Sequence, residues 1–135
     1  MQKIEHIGIA VKNLQSSNDL YKQILGIEHY KLEAVPAESV ITSFFKVGEN
    51  KIELIESADP NGVISKFIEK KGEGIHHIAF SVQDIFEEME RLRNAGFLLL
   101  SEQPKLGADN KLVCFVHPKN TNGVLVELCQ EIIKR

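Results

Sequence analysis

The 135-residue chain contains no tryptophan, only two cysteines and no marked excess of either charge. Its formal net charge is −3, so no overall basic field would attract nucleic acid or an anionic membrane. No apolar run approaches the roughly 20 residues that a helix needs to cross a bilayer. These absences predict a protein with no nucleic-acid partner and no membrane partner.

The two cysteines, Cys114 and Cys129, lie inside apolar runs and lack CxxC spacing. We interpret them as buried free thiols in a reducing compartment, although the spacing leaves a disulfide open. Met1 leads directly into a strand pattern without the features of a signal peptide. We therefore expect a cytoplasmic or organelle-matrix location, with cytoplasmic preferred.

The bulk composition is that of an ordinary globular protein, with 43% hydrophobic and 26% charged residues. A chain of this length can bury a sizeable core. No low-complexity segment or long linker interrupts it. We therefore predict one domain over residues 1–135.

Two modules with the same order of elements are predicted within this domain. In the first, about residues 3–56, Asn13 begins a helix and Gly26 ends it; in the second, about residues 75–130, Asp84 and Gly96 do so. A further helix over about 61–70 joins them. The predicted fold class is α+β, with two tandem βαβββ modules forming a curved mixed sheet around a metal-binding cleft. The predicted strands are 3–11, 28–34, 40–47, 51–56, 75–82, 97–102, 111–117 and 123–130.

An internal repeat places one histidine and one glutamate in each module. The segment around His6 matches the segment around His77 (77 − 6 = 71), and the segment around Glu53 matches that around Glu127 (127 − 53 = 74). Imidazole and carboxylate groups together suit Zn, Co, Ni, Fe or Mn. A lone histidine on a strand is usually structural. Two histidines and two glutamates at equivalent positions of two copies, however, predict one metal site.

The second module offers two adjacent histidines. The repeat favours His77 as the ligand, because His77-Ile78-Ala79 overlays His6-Ile7-Gly8. Since side chains alternate along a strand, His76 would point to the opposite face or support the ligands from outside.

Another polar cluster, His117-Pro118-Lys119, follows a predicted strand. We favour a turn there, with Lys119 as a candidate anion contact. Lys105 and Lys111 lie near the same predicted edge, which leaves open a role with a phosphate-bearing substrate. Cys114 is interpreted as a core residue and not as a nucleophile.

The chain resembles the methylmalonyl-CoA epimerase family of the vicinal oxygen chelate (glyoxalase/bleomycin-resistance) superfamily over about residues 3–130. The resemblance is carried by Ile4–Val11, Lys51–Leu54, Lys70–Phe80, His117–Lys119 and Gly123–Leu128. The Gly-Ile-His-His-Ile-Ala block and the His-Pro-Lys…Gly-Val-Leu-Val-Glu-Leu ending are its more specific parts.

This resemblance implies an isomerase that interconverts the (R) and (S) forms of methylmalonyl-CoA through an enolate. It implies a homodimer and one divalent metal ion, with cobalt preferred over zinc, nickel or manganese. Carried over by position, His6, Glu53, His77 and Glu127 hold the metal. Glu127 is then the preferred base and Glu53 its partner.

One departure leaves the second proton-transfer group open. Some epimerases carry an extra acid on the strand before the first hairpin, whereas residues 39–47 here contain none. Two other functions also remain open. A glyoxalase I (lactoylglutathione lyase) would use the same ligands on a glutathione hemithioacetal, and a drug-sequestering protein would have the same fold. The aromatic content of 7% counts against the latter, which often stacks its ligand on aromatic rings.

Overall fold

The structure, a computed structural model, describes residues 1–132, which divide into two compact units. Residues 6–76 form the N-terminal unit, and residues 1–5 together with 77–132 form the C-terminal unit. Within residues 1–132, no helix is both long and apolar enough to cross a membrane.

The secondary structure confirms the α+β class and the two βαβββ modules. The helices are α1 Leu14–Leu25, α2 Val63–Lys71 and α3 Ile85–Asn94, and short 3₁₀ turns cover Pro36–Glu38, Ala108–Asn110 and Pro118–Asn120. The strands are β1 Lys3–Ala10, β2 Lys31–Val35, β3 Val40–Val47, β4 Asn50–Ser57, β5 Gly74–Ser81, β6 Lys105–Leu106, β7 Lys111–Val116 and β8 Val126–Glu131.

In the N-terminal unit, the strand order is β2-β3-β4-β1, with β1 parallel to β4 and the other pairs antiparallel. Helix α1 begins where the Asn13 side chain accepts a hydrogen bond from the Ser16 N–H, as predicted. It ends at Gly26, whose φ of 72° suits a residue without a Cβ. The helix packs on one face of the sheet through a core of Val11, Leu14, Phe45 and Leu54.

In the C-terminal unit, the order is β5-β8-β7-β6, with β5 parallel to β8. Asp84 caps α3 by accepting a hydrogen bond from the Glu87 N–H, again as predicted. The core between α3 and the sheet consists of Val82, Ile85, Met89, Leu92, Cys114, Val116 and Leu128. The opposite sheet face is therefore left for the functional side chains.

The predicted strand at 97–102 is wrong: this segment makes only an isolated bridge from Leu99 to Val116, and a short strand forms later, at Lys105–Leu106. The carbonyl oxygens of Ser101 and Glu102 accept hydrogen bonds from the Arg93 guanidinium instead of from a neighbouring strand. The Arg93 side chain therefore takes the place of backbone hydrogen bonds to another strand at the C-terminal end of this segment.

Candidate functional site

The N-terminal unit brings one predicted histidine and one predicted glutamate together. His6 on β1 and Glu53 on β4 are joined by a 3.0 Å contact between Nδ1 and a carboxylate oxygen. Both side chains are buried, at about 5% exposure. The parallel pairing explains this contact, because Glu53 is in register with Gly8, two residues after the histidine.

The C-terminal unit repeats the arrangement. His77 Nε2 on β5 lies 3.4 Å from a Glu127 carboxylate oxygen on β8, and both side chains are again buried. Glu127 is in register with Ala79, which is likewise two residues after the histidine. The sequence repeat therefore corresponds to a repeated local geometry within each unit.

Each glutamate has a phenylalanine opposite it on the next antiparallel strand, which sequence reasoning missed. Phe44 is in register with Glu53, and Phe115 is in register with Glu127. The His77 and Phe115 rings also meet edge to face, with centroids 5.8 Å apart. The signal was available, since the two phenylalanines are separated by the same 71 residues (115 − 44) as the two histidines.

Burying a carboxylate with an imidazole costs free energy unless both groups gain partners. Each unit nevertheless buries such a pair at a place where apolar residues would be stable, which indicates a chemical role for the pair. The donor set suits a divalent first-row metal, because carboxylate oxygens and imidazole nitrogens are among its usual protein ligands. Each unit therefore carries a chemically suitable half-set of ligands.

Strand β3 supplies no further acid to the face of Glu53. Phe44 shares that face through its register with Glu53, and by alternation so does Thr42, which is in register with Ile55. Thr42 is buried at 2% exposure. A threonine hydroxyl is not a carboxylate, and β3 contains no Asp or Glu, so this strand provides no second carboxylate.

His76 lies in different surroundings from its neighbour, as alternation along β5 predicts. Its ring packs edge to face on Phe67 of α2, with centroids 4.9 Å apart. Burial, together with a smaller effect of the positive charge of Lys71, lowers the pKa of the His76 imidazole to about 4. His76 is thus a neutral packing residue at neutral pH.

The His117-Pro118-Lys119 cluster is a turn, as favoured from the sequence. His117 Nδ1 accepts a hydrogen bond from the Lys119 N–H at 3.0 Å and so caps the short 3₁₀ turn. The three lysines expected near this edge differ in their surroundings. Lys111 is buried and lies 3.5 Å from Asp109, whereas Lys105 and Lys119 are exposed.

Both cysteines are buried free thiols, which confirms the interpretation from the sequence. Cys114 lies in the core under α3, where burial raises the pKa of its thiol despite a hydrogen bond from Ser101. Cys129 lies on the other face and donates to the Phe80 carbonyl at 3.5 Å. The Cys114 thiol therefore lacks the lowered pKa of a reactive nucleophile.

Comparisons with known proteins agree with this fold. The family model described as the glyoxalase/bleomycin resistance protein/dioxygenase superfamily matches residues 5–115. An ethylmalonyl-CoA/methylmalonyl-CoA epimerase of Cereibacter sphaeroides is 39% identical over 95% of this chain and 97% of its own. The solved structure of methylmalonyl-CoA epimerase from Mycobacterium tuberculosis is 32% identical, with a TM-score of 0.93 over 97% of this chain and 89% of its own.

Two further similarities bear on the choice of substrate. A variant of the Streptomyces coelicolor methylmalonyl-CoA epimerase, solved in complex with 2-nitronate-propionyl-CoA, is 29% identical with a TM-score of 0.94, covering 98% of this chain and 99% of its own. A lactoylglutathione lyase of Escherichia coli O157:H7 is 25% identical over 96% of this chain and 93% of its own. The lyase is therefore the more distant of these relatives.

Proposed function

Because the chain belongs to the glyoxalase/bleomycin resistance protein/dioxygenase superfamily, we propose that it interconverts the (R) and (S) forms of methylmalonyl-CoA. It is then an isomerase of the epimerase class. The relatives of 32–39% identity described above act on this substrate by name, whereas the lyase is 25% identical.

The observation that carries the proposal is the repeated buried histidine–glutamate pair. Epimerisation removes a proton beside a thioester carbonyl and returns it to the other face of the same carbon. Two carboxylates supplied by two equivalent modules suit a reaction whose forward and reverse halves are chemically alike. Glu53 and Glu127 occupy equivalent positions in their modules, each opposite a phenylalanine.

We further propose that His6, Glu53, His77 and Glu127 together hold one divalent ion. One pair provides two protein ligands, whereas catalytic metal sites use three or more, so the pairs would act jointly. The ion would supply a Lewis acid that stabilises negative charge developing on the substrate oxygens.

The proton transfers would be carried out by the chain's own carboxylates. Glu127 would remove the α-proton from one epimer, and Glu53 would return a proton to the opposite face. Phe44 and Phe115, in register with these glutamates, would limit the access of water to the carbanion. Reversal of the same two roles would convert the other epimer.

The test is proton NMR of methylmalonyl-CoA in D₂O with the protein, before and after addition of Co²⁺. We expect metal-dependent loss of the α-proton signal. The same preparation is then assayed on the hemithioacetal of glutathione and methylglyoxal. Activity on the hemithioacetal and no exchange on the acyl-CoA would instead identify a lyase.

Cobalt as the native metal, a homodimer, a cytoplasmic location and a role in propionate metabolism complete the proposal. The single-domain organisation over residues 1–135 also belongs to it. Metal analysis of the purified protein and sedimentation of its native form would test the first two.

A further inference from the structure

Glu33 is a carboxylate of the N-terminal unit that the proton transfers described above do not use. It lies on β2, an outer strand of that unit, and is in register with Thr42 of β3. We propose that Glu33 and Thr42 form a proton relay between solvent and Glu53. This inference rests on the proposed function and explains how Glu53 regains the proton that it gives up in each turnover.

Repeated turnover in one direction requires that Glu53 be supplied with protons. In one conversion Glu127 takes a proton from the reacting carbon and Glu53 gives a proton to the same carbon. Glu127 must then release its proton, and Glu53 must gain one, before the next molecule of the same epimer can react. Because the Glu53 side chain is only 6% exposed, solvent has little direct access to it. A path through polar side chains would speed this step.

Strand register places Glu33 and Thr42 beside Glu53, in two adjacent rows across the sheet. The rows across β2, β3 and β4 are Lys31, Phe44 and Glu53, and then Glu33, Thr42 and Ile55. Opposite residues of antiparallel strands share a face, and so do residues two apart along a strand. Glu33 and Thr42 therefore lie on the face of Glu53. The apolar ring of Phe44 occupies the straight path from β2 to Glu53, so the polar path runs through the second row.

The spacing along this path suits proton transfer. Opposite residues of antiparallel strands have Cβ atoms about 4.5–5.5 Å apart, and diagonal neighbours lie about 7–8 Å apart. Glu33 and Thr42 are opposite, whereas Thr42 and Glu53 are diagonal. A threonine hydroxyl both donates and accepts hydrogen bonds, so it can accept a proton from Glu33 while it gives its own to Glu53. Each transfer then occurs directly or through one water molecule.

Glu33 is the solvent end of this path. Its side chain is 33% exposed, whereas Thr42 and Glu53 are buried. The Lys31 Nζ lies 3.4 Å from a Glu33 carboxylate oxygen and 4.5 Å from the centroid of the Phe44 ring. The Lys31 ammonium group, attracted to the face of that ring, therefore keeps the Glu33 carboxylate on the side of the sheet that carries Glu53. A carboxylate in this place can take up a proton from water and pass it inward.

Two substitutions remove the two parts of the relay with little change in side-chain shape. Glu33→Gln removes the carboxylate and Thr42→Val removes the hydroxyl, whereas Thr42→Ser keeps a hydroxyl. Glu49→Gln, in the exposed turn between β3 and β4, controls for the loss of one negative charge. Circular dichroism confirms that the variants fold.

The assay follows metal-loaded enzyme on one epimer of methylmalonyl-CoA in D₂O, first during a single turnover by rapid quench and then in the steady state. Each conversion replaces the α-proton by deuterium, so mass spectrometry of the quenched samples counts turnovers. We expect Glu33→Gln and Thr42→Val to keep the wild-type rate in the first turnover and to lower steady-state kcat at least about tenfold, because reloading of Glu53 then limits the reaction. Thr42→Ser and Glu49→Gln should resemble wild type in both phases.

A buffer series separates a relay from a structural role. MOPS, a buffer acid that binds metals weakly, can donate protons in place of Glu33. Raising its concentration should restore the steady-state kcat of Glu33→Gln towards wild type and should leave Glu49→Gln unchanged. A loss of kcat that no buffer concentration restores would overturn the inference.

The outcomes also separate this inference from the proposed function. Absence of deuterium incorporation by the metal-loaded wild type would refute the proposed function and the relay with it. If the wild type incorporates deuterium, a Glu33→Gln protein that matches Glu49→Gln in the steady state would refute the relay alone. Equal losses by Glu33→Gln in the first turnover and in the steady state would also refute it, since reloading affects only later turnovers.

Discussion

Replacement of Glu127 by glutamine removes a proton acceptor without changing the size of the side chain. The carboxylate is buried at 6% exposure and lies 3.4 Å from His77 Nε2, so the amide can occupy the same space. An amide does not accept a proton at neutral pH. General-base catalysis typically contributes about 10²–10⁴ in rate, so α-proton exchange should fall by that factor. This corresponds to about 3–5 kcal/mol of activation free energy.

The variant also changes a proposed metal ligand, and the two effects have to be separated. Exchange is therefore measured by NMR in D₂O over a series of Co²⁺ concentrations up to saturation, and metal content is determined on the same samples. Weaker metal binding raises the Co²⁺ concentration at which the exchange rate reaches half of its maximum. Loss of the base lowers the plateau, which is the quantity predicted here.

Glu131→Gln provides the matched control, because Glu131 lies on the same strand and is exposed. It removes the same charge, and its exchange rate should stay within about twofold of wild type, as exposed charges contribute little. A metal-loaded Glu127→Gln protein whose plateau lies within about threefold of wild type would refute the assignment of Glu127 as a base contributing 10² or more.

Three further predictions test the remaining assignments. His77→Gln should weaken Co²⁺ binding by at least about tenfold in a competition titration, while His76→Gln, next to it but packed on Phe67, should leave it nearly unchanged; equal losses would contradict the choice between them. Cys114, whose thiol pKa is raised by burial, should gain no iodoacetamide adduct at pH 8 by mass spectrometry until denaturant is added, and rapid labelling of the native protein would show that it is accessible. Asn13→Ala should lower the free energy of unfolding by about 1 kcal/mol in urea titrations, because the hydrogen bond to the Ser16 N–H is lost; an unchanged midpoint would show that the cap contributes nothing.

Local signals predicted most of the fold, because each acts within a few residues. The first turn of a helix has free backbone N–H groups, and the side chains of Asn13 and Asp84 accept hydrogen bonds from them. Gly26 adopts the left-handed conformation that ends a helix. Such positions can be identified from the few residues around them in the chain. The segment 97–102 was misassigned because its apolar run suits a strand, while the hydrogen bonds that decide its structure come from Arg93 and Asn120. Those contacts span up to 22 residues and leave no periodic pattern.

The sequence by itself determined the four candidate ligands, since the repeat shows equivalent positions without any coordinates. It also favoured His77 over His76 through the repeat, because His77-Ile78-Ala79 overlays His6-Ile7-Gly8. Assembly of the four into one metal site stays a prediction from the repeat.

Only the tertiary structure decided which residues meet across strands. Register joined His6 to Glu53 and His77 to Glu127, and it placed Phe44 and Phe115 opposite the glutamates. It likewise placed Glu33 opposite Thr42, on the face of Glu53. The physical reason is that strand register and helix packing depend on the sum of many distant contacts, which no single stretch of sequence contains.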